Sequence, residues 1–435
     1  MATKALTAAA ALAVTAVALS GCSSSGGSGG TDGPAKGAIT VLTNRTDLVS
    51  DGTFDKYAAE FRKSYPDVTV TFEGVNDYEN AIKTRLNGSK YGDVLAIPAA
   101  VKPSQYKQFF EPLGKSSDYS STFRYTAKSS FDGTQYGLST GGNANGIVYN
   151  KKVWEKAGIT ALPKTEDEWI TDLKLIKEKT DAIPLYTNYK DGWPLSQGMG
   201  SLGAITDDPD ASVHMAENPK PWTEGTDIYA IDSLLFDSVH EKLTEPDPLS
   251  TDWEGSKTQL GTGKVGAMVL GSWAVSQMQA AAVKAGASPD DIGYMAFPAA
   301  AKGVQYATND GDYSNAISKH SHAKAAAKAW ITWFAEKSSY TTDQGMVSPV
   351  KSAPLPKNLT GLSDAGVKLI EPAQAPKGKE SLLSDVANQA QIDIYGQTYR
   401  QKLVDIARGA ADGTKDSYFA ELNARWGAAV KQLVK

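Results

Sequence analysis

The chain has 435 residues, 41% hydrophobic and 21% charged, which is enough apolar sequence for more than one core and leads us to expect two domains. Its net charge of −5 and its lack of any Lys/Arg run exclude the electrostatic footprint of a nucleic-acid binder. A single cysteine, Cys22, excludes internal disulfides and any cysteine-built metal site.

Residues 5–19, ALTAAAALAVTAVAL, form an uncharged apolar run behind Lys4 and are closed by Leu19-Ser20-Gly21-Cys22. The run is shorter than the roughly 20 residues that cross a bilayer, so 1–21 reads as a secretory signal peptide. Its last four residues resemble the lipobox of bacterial lipoproteins. That resemblance implies a diacylglycerol thioether on Cys22, with acyl chains such as palmitate, followed by cleavage before it, and an anchor in the cell membrane. The alternative is ordinary cleavage and a soluble secreted product. Residues 22–37, rich in Ser and Gly, have no apolar face to bury and read as a flexible linker.

The first strand pattern is AITVLTN, with Ile39 and Val41 on one face, followed by a helix carrying Phe54, Tyr57, Ala58 and Phe61. VTVTFEG then alternates with period two. A second helix, with Tyr78, Ala81, Ile82 and Leu86 on one side, ends at Asn87-Gly88, and residues 93–98 form a buried-strand run. This β-α-β-α-β order predicts a parallel sheet covered by helices. The alternation restarts with NGIVYN and a helix bearing Val153, Trp154 and Ala157. Thr165 and Glu168 are spaced as a capping box ahead of Trp169, Leu173 and Ile176. Helical periodicity continues through Ile231, Leu235 and Val239, residues 264–273 form another buried strand, and an alanine-rich helix packs Trp330, Trp333 and Phe334. The C-terminal part reads as mostly helical, with a loop at 353–358.

Several motifs suggest chemistry and fail on context. Gly137-Leu138-Ser139-Thr140-Gly141 matches the nucleophile elbow of serine hydrolases, but an elbow needs a helix directly after the serine. Here TGGNANG follows, read as an open connection, and a strand resumes at IVYN. The same five-residue pattern recurs at 26–30 inside the linker, where it can do nothing. GTGKV, at 261–265, has Thr258 in place of the first P-loop glycine and Val265 in place of the magnesium-binding hydroxyl. Residues 310–315, DGDYSN, begin like a calcium loop but carry Asn315 at the glycine position and Ser321 at the glutamate position. His320 and His322 have no third metal ligand in sequence reach.

What remains distinctive is the set of nine tryptophans and nineteen tyrosines beside eleven phenylalanines, a bias toward rings with a polar handle. Trp193, Trp222, Trp273 and Tyr313 stand in loop-like sequence. Each has a core-packing alternative, but together they suit a carbohydrate cleft, where aromatic faces cover pyranose C–H patches and planar polar groups take up the hydroxyls.

The motif order resembles the extracellular solute-binding proteins, family 1, of ABC importers, the maltose-binding-like group of sugar-binding lipoproteins. FDKYAAEFRKSYPDVTV is similar to the family's first helix and second strand, and GDVLAIP to its third strand. DGTQYGLSTGGNANGIVYNKKVWEKAGI with LPKTEDEWITDLKLIKEK is similar to its most recognisable block; GWPLSQGMG, GKVGAMVLGSW and GDYSNAISKHSHAKAAAKAWITWF also have counterparts. The resemblance spans the mature chain. It implies an α/β, two-lobed periplasmic-binding-protein fold of type II, each lobe a mainly parallel sheet flanked by helices, with the ligand cleft at the hinge. Carried over by position, the N-lobe is 38–143 plus 312–352 and the C-lobe 144–311 plus 353–435, with crossings near 141–145, 310–315 and in the 350s. The cleft residues implied are Arg45 and Asp47, Tyr78, Asn143 and Asn145, the platforms Trp193, Trp222 and Trp273, and Asp310, Asp312 and Tyr313. Ser139 departs from the family pattern, where many members have proline.

The same resemblance implies a non-enzymatic, monomeric receptor without cofactor or metal. It would capture a sugar, as an oligosaccharide, and pass it to a membrane permease served by a separate cytoplasmic ATPase, with no nucleic-acid partner. A binding protein for a non-sugar solute and a surface-anchored hydrolase are the alternatives. Substrate identity is not carried over, because cleft residues vary within the family.

Overall fold

The computed structural model describes residues 30–76, 78–301 and 303–434. The expected signal peptide and Cys22 lie outside the described residues, as does the first half of the linker, 22–29. The linker's last residues rest on the body: Ala35 packs against the first core, and Asp32 pairs with Lys328 at 3.0 Å.

Two six-stranded sheets organise the chain. In the first, Gly37–Thr43 is flanked in parallel by Val68–Gly74 and Val94–Ala96. Beyond Val94–Ala96 lies Ser314–Ser318, which runs antiparallel to it and also pairs with Phe110–Glu111 and Gly137–Ser139. In the second, Ile183–Leu185 pairs in parallel with Val265–Gly271, and Tyr306–Gly311 with Lys368–Ile370. At its centre Gly142–Asn150 runs antiparallel to Val265–Gly271, Ile292–Met295 and Tyr306–Gly311. The parallel pairings implied by β-α-β order are present, yet both sheets are mixed. The physical reason is the crossings: a strand arriving from the other lobe without an intervening helix enters against the direction of its neighbours.

These crossings form one antiparallel ribbon. Asn309, Asp310 and Gly311 pair with Ala144, Asn143 and Gly142 in the second sheet, while Ser314, Asn315 and Ala316 pair with Ser139, Leu138 and Gly137 in the first. Between the two sets, the Thr140 N–H donates to Tyr313 O at 2.9 Å and the Asp312 N–H to Gly141 O at 2.8 Å. The open connection expected after Ser139 is therefore a strand. Its glycines do not serve positive φ. A Cβ at Gly142 would lie 2.0 Å from the Tyr125 hydroxyl oxygen, and one at Gly146 would lie 2.3 Å from the Met295 carbonyl oxygen, so glycine here permits close approach. A third strand-like passage joins at 347–350, where Val347 bridges Gly142 and Val350 bridges Phe123.

The helices bury the predicted faces. Phe54, Tyr57 and Phe61 of Thr53–Ser64 meet Trp330 and Phe334 of Lys324–Lys337 over the first sheet. Trp154, Trp169, Leu173 and Ile176 cover the second. The Thr165 hydroxyl accepts from the Glu168 N–H at 3.2 Å, but the Glu168 carboxylate takes the Lys164 N–H at 2.6 Å, so the box closes one residue early. The C-terminal helices Leu382–Ala390, Thr398–Ala407 and Lys415–Leu433 form a separate core with Asp227–His240. Among the described residues no helix is long and apolar enough to cross a membrane.

Candidate ligand-binding cleft

A cavity of about 450 Å³ lies against the crossing ribbon, within the range of small-ligand sites. Strand alternation explains its polar wall. Asn143 and Asn145 are two residues apart and share the cavity face, while Ala144 between them is fully buried and its carbonyl accepts from the Tyr294 hydroxyl at 2.8 Å. Asp310 and Asp312 line the cavity from the returning strand and the crossing just beyond it, Asp310 directly opposite Asn143. The Asn145 amide donates to the Thr308 hydroxyl at 3.1 Å, and that hydroxyl donates to the Gly200 carbonyl. Glycine is needed at 200, since a Cβ there would sit 2.2 Å from Asn145 Oδ1.

The wall is also aromatic. Ser272 hooks onto the ribbon, donating its N–H to Ala144 O at 2.8 Å and accepting the Ala144 N–H on its hydroxyl at 3.0 Å. This fixes the next residue, Trp273, at the start of Trp273–Lys284 with its ring in the cavity wall. Trp193 lies 5.9 Å from it and Trp253 5.8 Å, and those two meet edge-to-face at 4.9 Å. Trp193 is 36% exposed, so the aromatic surface continues outward from the cavity.

Charges concentrate where the lobes meet. Lys128 donates to Asp310 at 3.3 Å and to the Gly311 carbonyl. Arg45 makes two bonds to the Asp47 carboxylate, at 3.0 and 2.7 Å, and a longer one of 3.4 Å to the Tyr340 hydroxyl. Among the described residues no side chain donates to Asp312. Burial pushes its carboxyl above the usual range, opposed by Lys128, the Tyr313 N–H and Arg45. Arg45, Asp312 and Tyr313 also border a small adjoining pocket of about 30 Å³.

The structure thus gathers Asn143, Asn145, Trp273, Asp310 and Asp312 in one cavity, with Trp193 one ring away and Arg45 and Tyr313 next to it. Asp47 serves Arg45. Tyr78 is buried beneath the site, its hydroxyl donating to Ala96 O at 2.8 Å and its ring 5.7 Å from Tyr313, whose hydroxyl donates to Glu79 at 2.7 Å. Trp222 requires correction as a platform. It is 2% exposed in the C-terminal core, edge-on to Trp426 at 5.6 Å, and its indole N–H donates to Asp232 at 2.7 Å.

Sequence reasoning missed Tyr395, which is 60% exposed in the cavity wall, and Gln197 beside it. Tyr395 stands before Gly396 outside any helical face, the same signal that marked Trp193. Ser139 is buried in Gly137–Ser139 and spends its hydroxyl on Gly141 O at 2.6 Å, while His320 sits edge-on to Tyr91 at 5.5 Å. Among the described residues no histidine hydrogen-bonds to Ser139. Among the described residues no group of three or more His, Cys, Asp or Glu could hold a metal ion.

Two mixed-sheet lobes joined by a strand ribbon, with a polar and aromatic cavity at the junction, define a two-lobed solute-binding fold. The sequence matches the family of bacterial extracellular solute-binding proteins over residues 46–340, and the chain belongs to that family. It is similar to BlMnBP1, the binding protein of an ABC transporter from Bifidobacterium animalis subsp. lactis ATCC27673 solved with mannobiose. The TM-score is 0.82 at 36% identity, over 91% of this chain and 95% of that one. The manno-oligosaccharide-specific BlMnBP2 of the same organism, solved with mannotriose, gives a TM-score of 0.82 at 34% identity, covering 92% and 95%. The diacetylchitobiose binding protein DasA of Streptomyces coelicolor is 35% identical over 167 residues, which span 36% of this chain and 37% of that protein.

Proposed function

We propose that this protein captures an oligosaccharide between its lobes and delivers it to the permease of an ABC importer. The observation that carries this reading is the cavity itself: an indole ring, a tyrosine, two asparagines and two carboxylates converge on one volume. An aromatic face and planar acceptors complement the C–H patch and the hydroxyls of a pyranose. The sugars named for BlMnBP1 and BlMnBP2 support the same class of ligand.

The lobes in this reading are 38–143 with 312–352 and 144–311 with 353–435, closing on the ligand about the ribbon. Asn143, Asn145, Trp273, Asp310 and Asp312 contact it directly, Trp193 extends the platform, and Arg45, Asp47, Tyr78 and Tyr313 shape the first-lobe side. The protein acts as a monomer without turnover or cofactor, held outside the membrane by lipid on Cys22. A matching oligosaccharide at 100 times its Kd raises stability by about 2.7 kcal/mol, read as an upward shift in Tm. A panel of mono- and oligosaccharides that leaves Tm unmoved, while amino acids, polyamines or phosphate esters raise it, overturns the carbohydrate assignment. Product release from excess glycoside or ester overturns the non-enzymatic one.

A further inference from the structure

The cleft holds one more acid than its bases neutralise. Lys128 is taken by Asp310, and Arg45 by both oxygens of Asp47. Asp312, on the crossing ribbon, feels both bases and, among the described residues, forms no ion pair of its own. Its carboxylate lines the main cavity, in whose wall, among the described residues, there is no Lys, Arg or His.

We propose, resting on the carbohydrate reading above, that this cleft selects its sugar by charge, and that Asp312 is the residue that sets the selection. Neutral sugars are accepted and anionic ones, such as uronic acids, sialic acids and sugar phosphates, are rejected. A neutral sugar offers hydroxyl protons, which an unpaired carboxylate accepts without loss. An anionic group offers no donor and brings a second negative charge into a partly enclosed space, where the effective dielectric is far below that of water. Asn143 and Asn145 accept or donate equally well to either ligand, so they do not discriminate. Rejection therefore comes from a repulsive element built into the site rather than from any attraction reserved for the correct ligand.

The test uses mannobiose, cellobiose and maltose, each paired with its counterpart oxidised to a carboxylate at C6 of the non-reducing residue, titrated calorimetrically into the wild-type protein and Asp312→Asn. At least one neutral disaccharide is expected to bind, with its acid form weaker by about tenfold or more, since like charges brought together in a site are strongly disfavoured. In Asp312→Asn the ratio between the two forms falls to within about threefold, even if both bind more weakly. A readout independent of that variant's folding is the wild-type ratio itself. Equal binding of the two forms, preference for the acid, or a ratio unchanged in folded Asp312→Asn overturns the charge selection and leaves the carbohydrate reading standing. Failure of all six sugars, and of the wider panel of mono- and oligosaccharides, to bind overturns the carbohydrate reading, and the charge selection with it.

Discussion

Trp273→Ala lowers affinity for the captured oligosaccharide by about 2 kcal/mol or more, roughly 30-fold, measured by calorimetric or fluorescence titration. The indole is held by a short chain of constraints. Ser272 is pinned to Ala144 by two hydrogen bonds, and Gly271 has no side chain because a Cβ there would lie 2.6 Å from the Trp273 ring. Trp193 and Trp253 pack against it. A ring fixed this firmly loses little freedom on binding, so its stacking energy goes almost wholly into affinity. Trp273→Phe, which keeps a smaller flat face, loses less. Unaltered affinity in a folded Trp273→Ala variant removes the ring from the site. Trp222→Phe is the internal control, because that indole lies in the C-terminal core, and affinity there stays at the wild-type value.

The second large effect falls away from the cleft. Asp232→Ala destabilises the protein by about 3–5 kcal/mol, measured from the urea midpoint, because it strands a buried cation. Asp232 and Arg400 are both fully buried, with Arg400 Nε donating to Asp232 at 2.9 Å and Nη1 to Ile394 O at 2.8 Å. The same carboxylate accepts from the Trp222 indole at 2.7 Å and the Tyr399 hydroxyl at 3.1 Å. One acid thus ties the loop before Asp227–His240 to Thr398–Ala407. Trp222→Phe removes a single bond to a charged acceptor and costs about 1.5–3 kcal/mol. A loss no larger for Asp232→Ala than for Trp222→Phe contradicts the view that the stranded charge dominates.

Local pattern carried the fold a long way. Val68, Val70 and Phe72 alternate against Thr69, Thr71 and Glu73, and they form the strand that alternation demands. Phe54, Tyr57 and Phe61 share a helical face and bury it. Periodicity is silent on strand direction across a sheet, which is why sheets that β-α-β order describes as parallel turn out mixed. Direction there is set by where the chain crosses between lobes. Glycine content misled for a related reason. Gly142 and Gly146 look like loop residues, but their role is set by Tyr125 and Met295, neither of which is their neighbour in sequence.

The candidate site divides along the same line. Asn143, Asn145, Asp310 and Asp312 were reached through the family resemblance, carried over by position to the crossings, and the strand formed there turns Asn143 and Asn145 to one side. Trp222 was not, because a loop tryptophan with its N–H satisfied by Asp232 ten residues on reads the same as one facing solvent. Tyr395 carried the right signal, an aromatic beside glycine outside helical periodicity. Its place in the same cavity wall as Asn143 depends on how the C-terminal helices fold back on the second lobe.

The most direct test of oligosaccharide capture at this cleft is a crystal structure of the protein with the oligosaccharide that raises its Tm most. The expected result is a pyranose ring lying flat on Trp273, hydroxyls donating to the Asp312 carboxylate, and further hydroxyls on Asn143 and Asn145, enclosed between the lobes. A sugar bound elsewhere, with Trp273 and Asp312 facing solvent, contradicts it.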